Sequence, residues 1–508
     1  MAHEKKTVSC QNGDMATSTR IGSHALAGLL PDLSSPGAHA GAHAGARPGA
    51  RRGAVYAALA DAVSSLILDG RIAIGTRVPS ERDLAAALGL SRTTVTAAYS
   101  ALRVDGYLIS RTGSGSFTAV PAGSRASSSI ARWAPPAAAP DLIDLTCATP
   151  AGPATAIADA VAAAAAHLPW LTAGTGYDPV GVPQLREAIA ARFAARGVPT
   201  DASQILITNG ALHALDLLLR LLADSGCRVL TELPTYSGAI DAIRASSARL
   251  LPVPLAPGGS WDVEALQAAL RQNAPGLAYL IPDFHNPTGA LTGDAERRAV
   301  LRAARRAGTT VIVDETFVDL GFTSPATPAA AIDPGVITIG SLSKAVWGGL
   351  RIGWIRAHPD LIQKVAALRA ATDMGGALLD QLAAVELVVR LDELAAARVA
   401  EVTPRRDALL AALARELPGW RVSAPQGGLS LWAELDSPLS TPLTVLARSA
   451  GVLIVPGSRF GADGTLERYL RLPFTQPPEV LERAVTRLRE VWTTLDRSSP
   501  VARPLVVA

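Results

Sequence analysis

The stretch Ser341-Leu342-Ser343-Lys344-Ala345-Val346-Trp347-Gly348-Gly349-Leu350-Arg351 is the one around which the chain is organised, and Lys344 is its centre. Of 47 Lys plus Arg in 508 residues, only Lys5, Lys6, Lys344 and Lys364 are lysines. Arginine does nearly all the cationic work. A guanidinium does not give up its proton and so does not condense with an aldehyde; that chemistry needs lysine. Lys5 and Lys6 lie in a tail, and Lys364, within Leu361-Ile362-Gln363-Lys364-Val365, reads as a solvated helix position. Lys344 is the reactive candidate by elimination, set against the plainer reading of one more surface cation.

Working outward, buried runs alternate with amphipathic helices. They are Ile205-Leu206-Ile207-Thr208, Arg228-Val229-Leu230-Thr231, Ala278-Tyr279-Leu280-Ile281, Thr310-Val311-Ile312-Val313 and Val336-Ile337-Thr338-Ile339. Near-continuous apolar strands between helices predict an α/β fold with a mainly parallel sheet covered on both faces. Ligands of such sheets sit at strand ends. After Leu361 the pattern is helical, then strand-like near Gly428–Trp432 and Tyr469–Leu472, predicting a smaller α+β subdomain.

Candidate site residues follow those strands. Thr208-Asn209-Gly210-Ala211-Leu212-His213 opens a helix whose free amides suit a phosphate. Asn286-Pro287-Thr288-Gly289 places an amide side chain before a rigid turn. Asp314 ends a strand, where a carboxylate could keep a ring nitrogen protonated. Ser341 and Ser343 flank the lysine, and Arg351 offers a fixed fork for a phosphate dianion.

In order, Gly210, Tyr236, Asn286, Asp314, Lys344, Arg351 and Arg471 resemble the fold-type I aminotransferases that bind pyridoxal phosphate, over roughly residues 141–497. The resemblance implies that Lys344 bonds the cofactor and shuttles protons, Asp314 pairs with the pyridinium nitrogen and Asn286 bonds the ring hydroxyl oxygen. It implies that Tyr236 stacks on the ring and that Ala211, Leu212, Ser341, Ser343 and Arg351 hold the phosphate. Tyr177, in Tyr177-Asp178-Pro179-Val180-Gly181, resembles the tyrosine that reaches a neighbouring subunit's phosphate, and Arg471 would grip a substrate carboxylate. One departure stands out: many relatives place a tyrosine two or three positions after the aspartate, where this chain has Thr316 and Phe317. Phenylalanine cannot donate to the ring hydroxyl oxygen, which leaves Thr316 as the substitute.

The N-terminal third reads differently. Residues 1–50 are rich in Gly, Ala, Ser and Pro and predict a tail without structure. From Arg51, Val55, Leu59, Val63, Leu66 and Ile67 recur at helical spacing. Ser80 and Ser91 are cap signals for two further helices, stopped by Gly89 and Gly106. Two strands around Arg111-Thr112-Gly113-Ser114-Gly115 predict a hairpin. Three helices and a hairpin make a winged helix-turn-helix, with eight Arg against five Asp plus Glu between Arg51 and Val120. Pro79-Ser80-Glu81-Arg82-Asp83-Leu84-Ala85, Ser91-Arg92-Thr93-Thr94-Val95 and Leu102–Leu108 resemble the DNA-binding domain of the GntR family. By that resemblance Arg82, Arg92 and Thr94 touch DNA and Gly113 lies at the wing tip; Ser91, Thr93 and Arg111 add donors for phosphates or base edges.

Residues 121–140 read as a flexible linker and 498–508 as a tail. The small subdomain is expected from about 141–180 and 375–497. The succession of GntR-type domain, linker and aminotransferase-like domain resembles the MocR subfamily of transcription regulators. This implies a regulator, dimeric and bound to operator DNA, that responds to pyridoxal phosphate or an amino compound. The competing reading is an active aminotransferase with an accessory DNA-binding domain; a cofactor reservoir without an operator ranks last. A net charge of +3 confines any nucleic-acid surface to one part of the chain. Cys10, Cys147 and Cys227 lack metal or disulfide spacing, which with the lack of a signal peptide predicts a cytoplasmic protein without a structural metal. A mean hydropathy of +0.25 reflects alanine, and no run is apolar enough for a membrane.

Overall fold

The computed structural model describes residues 21–30, 51–68, 72, 76–111, 114–119, 141–461 and 465–495. They fall into two compact units, the second of which spans Pro140–Thr493. The expected linker, most of the N-terminal tail, the C-terminal tail and Gly113 lie outside the described residues.

In the first unit, α1 (Ser23–Ala27) and α2 (Arg51–Leu68) precede α3 (Glu81–Leu88) and α4 (Arg92–Val104). The segment expected to be structureless contains α1 because Leu26 and Leu30 are buried and the Ile21 amide donates to Arg77 O at 3.1 Å. Leu59, Val63, Leu66 and Ile67 of α2 are buried, the 3.6-residue stripe that the sequence displays. Ser80 caps α3 by accepting the Asp83 amide, and Ser91 caps α4 by accepting that of Thr94. Strands β1 (Leu108–Arg111) and β2 (Gly115–Thr118) pair antiparallel with Ile109 opposite Phe117. A third segment, not foreseen, bridges Arg77 to Phe117 and donates Val78 N–H to Ser116 O at 3.0 Å.

The second unit is built on a seven-stranded sheet. Its strands are β3 (Ile205–Thr208), β4 (Arg228–Leu233), β5 (Arg249–Pro254), β6 (Leu277–Leu280), β7 (Thr310–Asp314), β8 (Ile337–Ser341) and β9 (Gly353–Arg356). Their order is β3-β9-β8-β7-β6-β4-β5, with β9 antiparallel to both neighbours and the others parallel. Alternation along β6 shows why both faces are apolar: Leu277 and Tyr279 join one buried cluster, Ala278 and Leu280 the other. β5 and β9 were not foreseen. β5 carries Pro252 and Pro254, which a sheet tolerates only at an edge, and β5 is an edge. A second sheet, β10 (Arg421–Val422), β11 (Ser430–Glu434), β12 (Val455–Pro456) and β13 (Tyr469–Pro473), runs β10-β11-β13-β12 and forms the smaller subdomain. Ile143–Asp144 pairs in parallel with Val452–Leu453.

Candidate active site and nucleic-acid interface

The floor of the site is the turn between β3 and α5 (Ala211–Leu222). Gly210 holds φ +90°, and no side chain caps the helix, which leaves its first amides free of a capping side chain, the arrangement a helix start needs to receive an anion. A Cβ on Gly210 would lie 2.9 Å from Arg351 Nη2, and that guanidinium donates to Asn209 O. Arg351 itself adopts φ +53°, a left-handed conformation for a non-glycine residue at the functional turn. Ser341 Oγ donates to Ile352 O at 2.9 Å and accepts Ser343 N–H at 3.1 Å, so it braces the lysine turn. His213, one turn into α5, was missed: its Nδ1 accepts the Asn209 amide at 3.0 Å, and burial, then Arg369, lower its pKa.

Lys344 stands in a π-turn, Ser343–Trp347, that follows β8. Its Nζ donates to Ala148 O at 2.9 Å and Thr149 Oγ1 at 3.0 Å, and lies 5.7 Å from the centre of the Phe317 ring. Burial, followed by the nearby Arg471 charge, brings the amine down to about 8. Asp314 ends β7 in the same neighbourhood. Its Oδ2 accepts the Tyr279 hydroxyl at 2.7 Å and its Oδ1 the Thr316 amide at 2.9 Å. Burial pushes the Asp314 carboxyl up, against the downward pull of Thr316 and Tyr279. Tyr279 was missed because it sits mid-strand, where an aromatic residue reads as core.

Asn286 is buried, and its Oδ1 has no hydrogen-bond partner among the described residues. A polar atom so placed is costly unless a ligand meets it. Tyr236 begins the helix Ser237–Ala245, its ring so close that a Cβ on Gly238 would fall 2.5 Å from Cζ. Arg471, on β13, donates to Thr146 O, lies 5.0 Å from the Phe460 ring centre and is lowered to about 10 by burial. Its Nε is buried without a partner among the described residues. Tyr177, by contrast, is 67 % exposed, and no described contact ties it to this group.

These residues fit pyridoxal phosphate: an amine suited to an aldehyde, a buried carboxylate, a buried side-chain amide able to donate through its nitrogen and an uncapped helix start beside an arginine. Among the described residues no cluster of His, Cys, Asp and Glu is arranged to hold a metal ion. No helix among them is long and apolar enough to cross a membrane.

In the first unit, Arg82, Ser91, Arg92, Thr93 and Arg111 are exposed on or beside α3, α4 and β1. Ser91 Oγ lies 2.8 Å from both Thr93 Oγ1 and Thr94 Oγ1, so the three hydroxyls form one cluster at the start of α4. Arg111 lies 4.9 Å over Phe117, which extends it along the hairpin. Arg103 has a structural task, bonding Glu81 at 3.1 Å, Ser110 at 3.0 Å and Ser116 at 3.2 Å and so tying α4 to the hairpin.

Residues 140–488 match the family described as aminotransferase class I and II, and residues 55–118 the bacterial regulatory proteins of the gntR family. The uncharacterized HTH-type transcriptional regulator YisV of Bacillus subtilis is 31 % identical over 447 residues, 80 % of this chain and 90 % of that protein. The probable rhizopine catabolism regulatory protein MocR of Rhizobium meliloti is 30 % identical over 361 residues, 66 % of this chain and 71 % of the relative. Among solved structures, LysN, the alpha-aminoadipate aminotransferase of Thermus thermophilus complexed with N-(5'-phosphopyridoxyl)-L-leucine, superposes with a TM-score of 0.65 at 31 % identity. The match covers 73 % of this chain and 95 % of that one.

Proposed function

We propose a function from the premise that this chain belongs to the MocR-type regulators, gntR-family DNA-binding proteins whose larger domain is an aminotransferase of class I and II. It is a transcription regulator with a pyridoxal phosphate-binding domain. The observation that carries the reading is that one chain holds both a capped helix pair with exposed Arg82 and Arg92 and the buried set around Lys344.

Within the site, Lys344 carries the cofactor, Asp314 holds the ring nitrogen and Asn286 the ring hydroxyl oxygen. Tyr236 covers the ring, while the Ala211 and Leu212 amides, Ser341, Ser343 and Arg351 seat the phosphate. When bound, the cofactor supplies an aldehyde and an electron-accepting ring. The effector is pyridoxal phosphate itself or an amino compound, and the buried Arg471 guanidinium favours one with a carboxylate. Phe317, packed over Lys344, offers no hydroxyl where an active aminotransferase would use one, which favours sensing over turnover. Exposed Tyr177 supports a homodimer in which it serves the second copy, and a dimer presents two copies of α4 to two half-sites. Ser91, Thr93, Thr94, Arg111 and Gly113 complete the DNA contacts, and the protein acts in the cytoplasm, where the chromosome is.

The test is binding of the full chain to duplex DNA from its own upstream region against a scrambled duplex, at fixed salt, with and without pyridoxal phosphate. A specificity ratio of about a thousand or more that moves with the cofactor is expected. It should stop moving in Lys344→Ala. Operator affinity indifferent to the cofactor and to amino compounds would overturn the reading.

A further inference from the structure

We propose that residues 141–152, near the start of the second unit, are a strap whose seat is set by what Lys344 and Arg471 are bonded to, so that site occupancy is passed along the backbone toward the DNA-binding unit. This rests on the reading of the chain as a pyridoxal phosphate-binding regulator.

The strap has fixed ends and a dependent middle. At its start, Ile143 N–H donates to Gly451 O at 2.9 Å, Leu145 N–H to Leu453 O at 2.8 Å, and Arg487 Nη1 to Asp141 O at 2.8 Å. At its far end, Arg398 Nη2 donates both to Ala151 O and, at 3.0 Å, to Val346 O in the lysine turn. A Cβ on Gly152 would stand 2.8 Å from Trp347 Cγ, so strap and turn touch there. Between these anchors the two cations of the site reach the strap, Arg471 Nη2 donating to Thr146 O and Lys344 Nζ to Ala148 O and Thr149 Oγ1, while within the strap the Thr146 amide and hydroxyl donate to Asp144 Oδ1 at 2.7 and 2.6 Å. Two longer bonds also reach the strap carbonyls, from Thr475 Oγ1 to Cys147 O at 3.5 Å and from Gln476 Nε2 to Asp144 O at 3.4 Å.

Those cations are the ones that ligands need. A nitrogen joined to an aldehyde carbon keeps at most one hydrogen, so Lys344 cannot then serve both Ala148 O and Thr149 Oγ1. A carboxylate bound through Arg471 Nε and Nη2 shares that guanidinium with Thr146 O and sets a negative charge beside the carbonyl oxygen, which is repelled. In the first case a strap acceptor loses its donor, and a buried acceptor without one is unstable in place; in the second the bond to Thr146 O is weakened by the neighbouring charge. The middle of the strap must re-seat while its start stays paired to Val452–Leu453. Pro140 begins the same unit, and the chain leads back from it in sequence to the DNA-binding domain.

The experiment is hydrogen–deuterium exchange of the full chain, followed in peptides spanning residues 141–152, with visible absorbance reporting cofactor on Lys344. Without cofactor, Lys344→Ala and Lys344→Met are expected to raise strap exchange by about fivefold or more, the worth of one net hydrogen bond. Exchange in 277–281, at the sheet centre, should stay unchanged, which separates local release from failure to fold. Adding pyridoxal phosphate should change strap exchange in the wild type and leave both variants unmoved. Cofactor absorbance without a change in strap exchange would overturn the proposal, as would variants exchanging like the wild type. If no cofactor absorbance develops but the variants loosen the strap, the hold on the strap stands and the cofactor reading fails.

Discussion

Burial and the Arg471 charge bring the Lys344 amine from 10.5 down to about 8. At pH 7 about one amine in ten would be unprotonated, against about one in three thousand for an ordinary lysine, a gain of roughly 300-fold in the reactive form. Burial is the larger cause and the Arg471 charge the next, so Arg471→Met should raise the value part of the way back. The assay is trace acetylation across a pH series, with peptides resolved by mass and exposed Lys364 as internal reference. Lys344 labelling should inflect near pH 8 and then level off, and the inflection should move upward in Arg471→Met. An inflection near 10.5 in the wild type, or one indifferent to Arg471, would refute the reasoning. The linkage has a definite sign: between about 8 and 10.5 the unfolded chain binds the extra proton, so this group's contribution to stability improves as pH rises through that window.

Other outcomes can be checked separately. Tyr279→Phe removes a donor from the Asp314 carboxylate and should weaken cofactor binding and stability by about 2 kcal/mol, read by absorbance titration and urea melts. Unchanged values would deny Tyr279 its role. Phe317→Tyr should speed single-turnover amino transfer by about tenfold, equivalent to about 1.4 kcal/mol, in stopped-flow absorbance; no gain would mean that Phe317 is not what limits turnover. Arg92→Ala should lower DNA affinity and reduce the salt slope by about one ion, whereas Arg103→Ala should chiefly lower the melting temperature through loss of its Glu81, Ser110 and Ser116 bonds. His285 is buried and held at about 3, so its contribution is complete above 6.5 and is lost as pH falls from 6.5 toward 3. In His285→Gln the acid arm of a stability profile should flatten over that window.

Much of the fold was readable because its signals are local. Ser80 and Ser91 announced their helices, and five of the seven central strands stood out as apolar runs. β5 was hidden by Pro252 and Pro254, which argue against a strand unless its place at the sheet edge is known. β9 was hidden by its composition, Trp354 and Ile355 between an arginine and a glycine that meets Gly210 so closely that a Cβ would lie 2.5 Å from its carbonyl carbon. The helix α1 was masked by a composition that promises disorder, since two leucines suffice when a neighbouring surface receives them.

The sequence alone determined the candidates: one lysine singled out by elimination, an aspartate and an asparagine after apolar strands, arginines suited to anions, and a helix pair with cap signals and Arg82 and Arg92 at its starts. Residue type and short-range periodicity are properties of neighbours in the chain, so they survive without coordinates. The tertiary structure decided the partners and hence the strengths. Tyr279 reaches Asp314 from 35 positions away, and Lys344 reaches Ala148 across 196. Burial by such distant segments lowers the lysine and raises the aspartate, because desolvation depends on everything packed around a charge and not on the residues beside it in sequence.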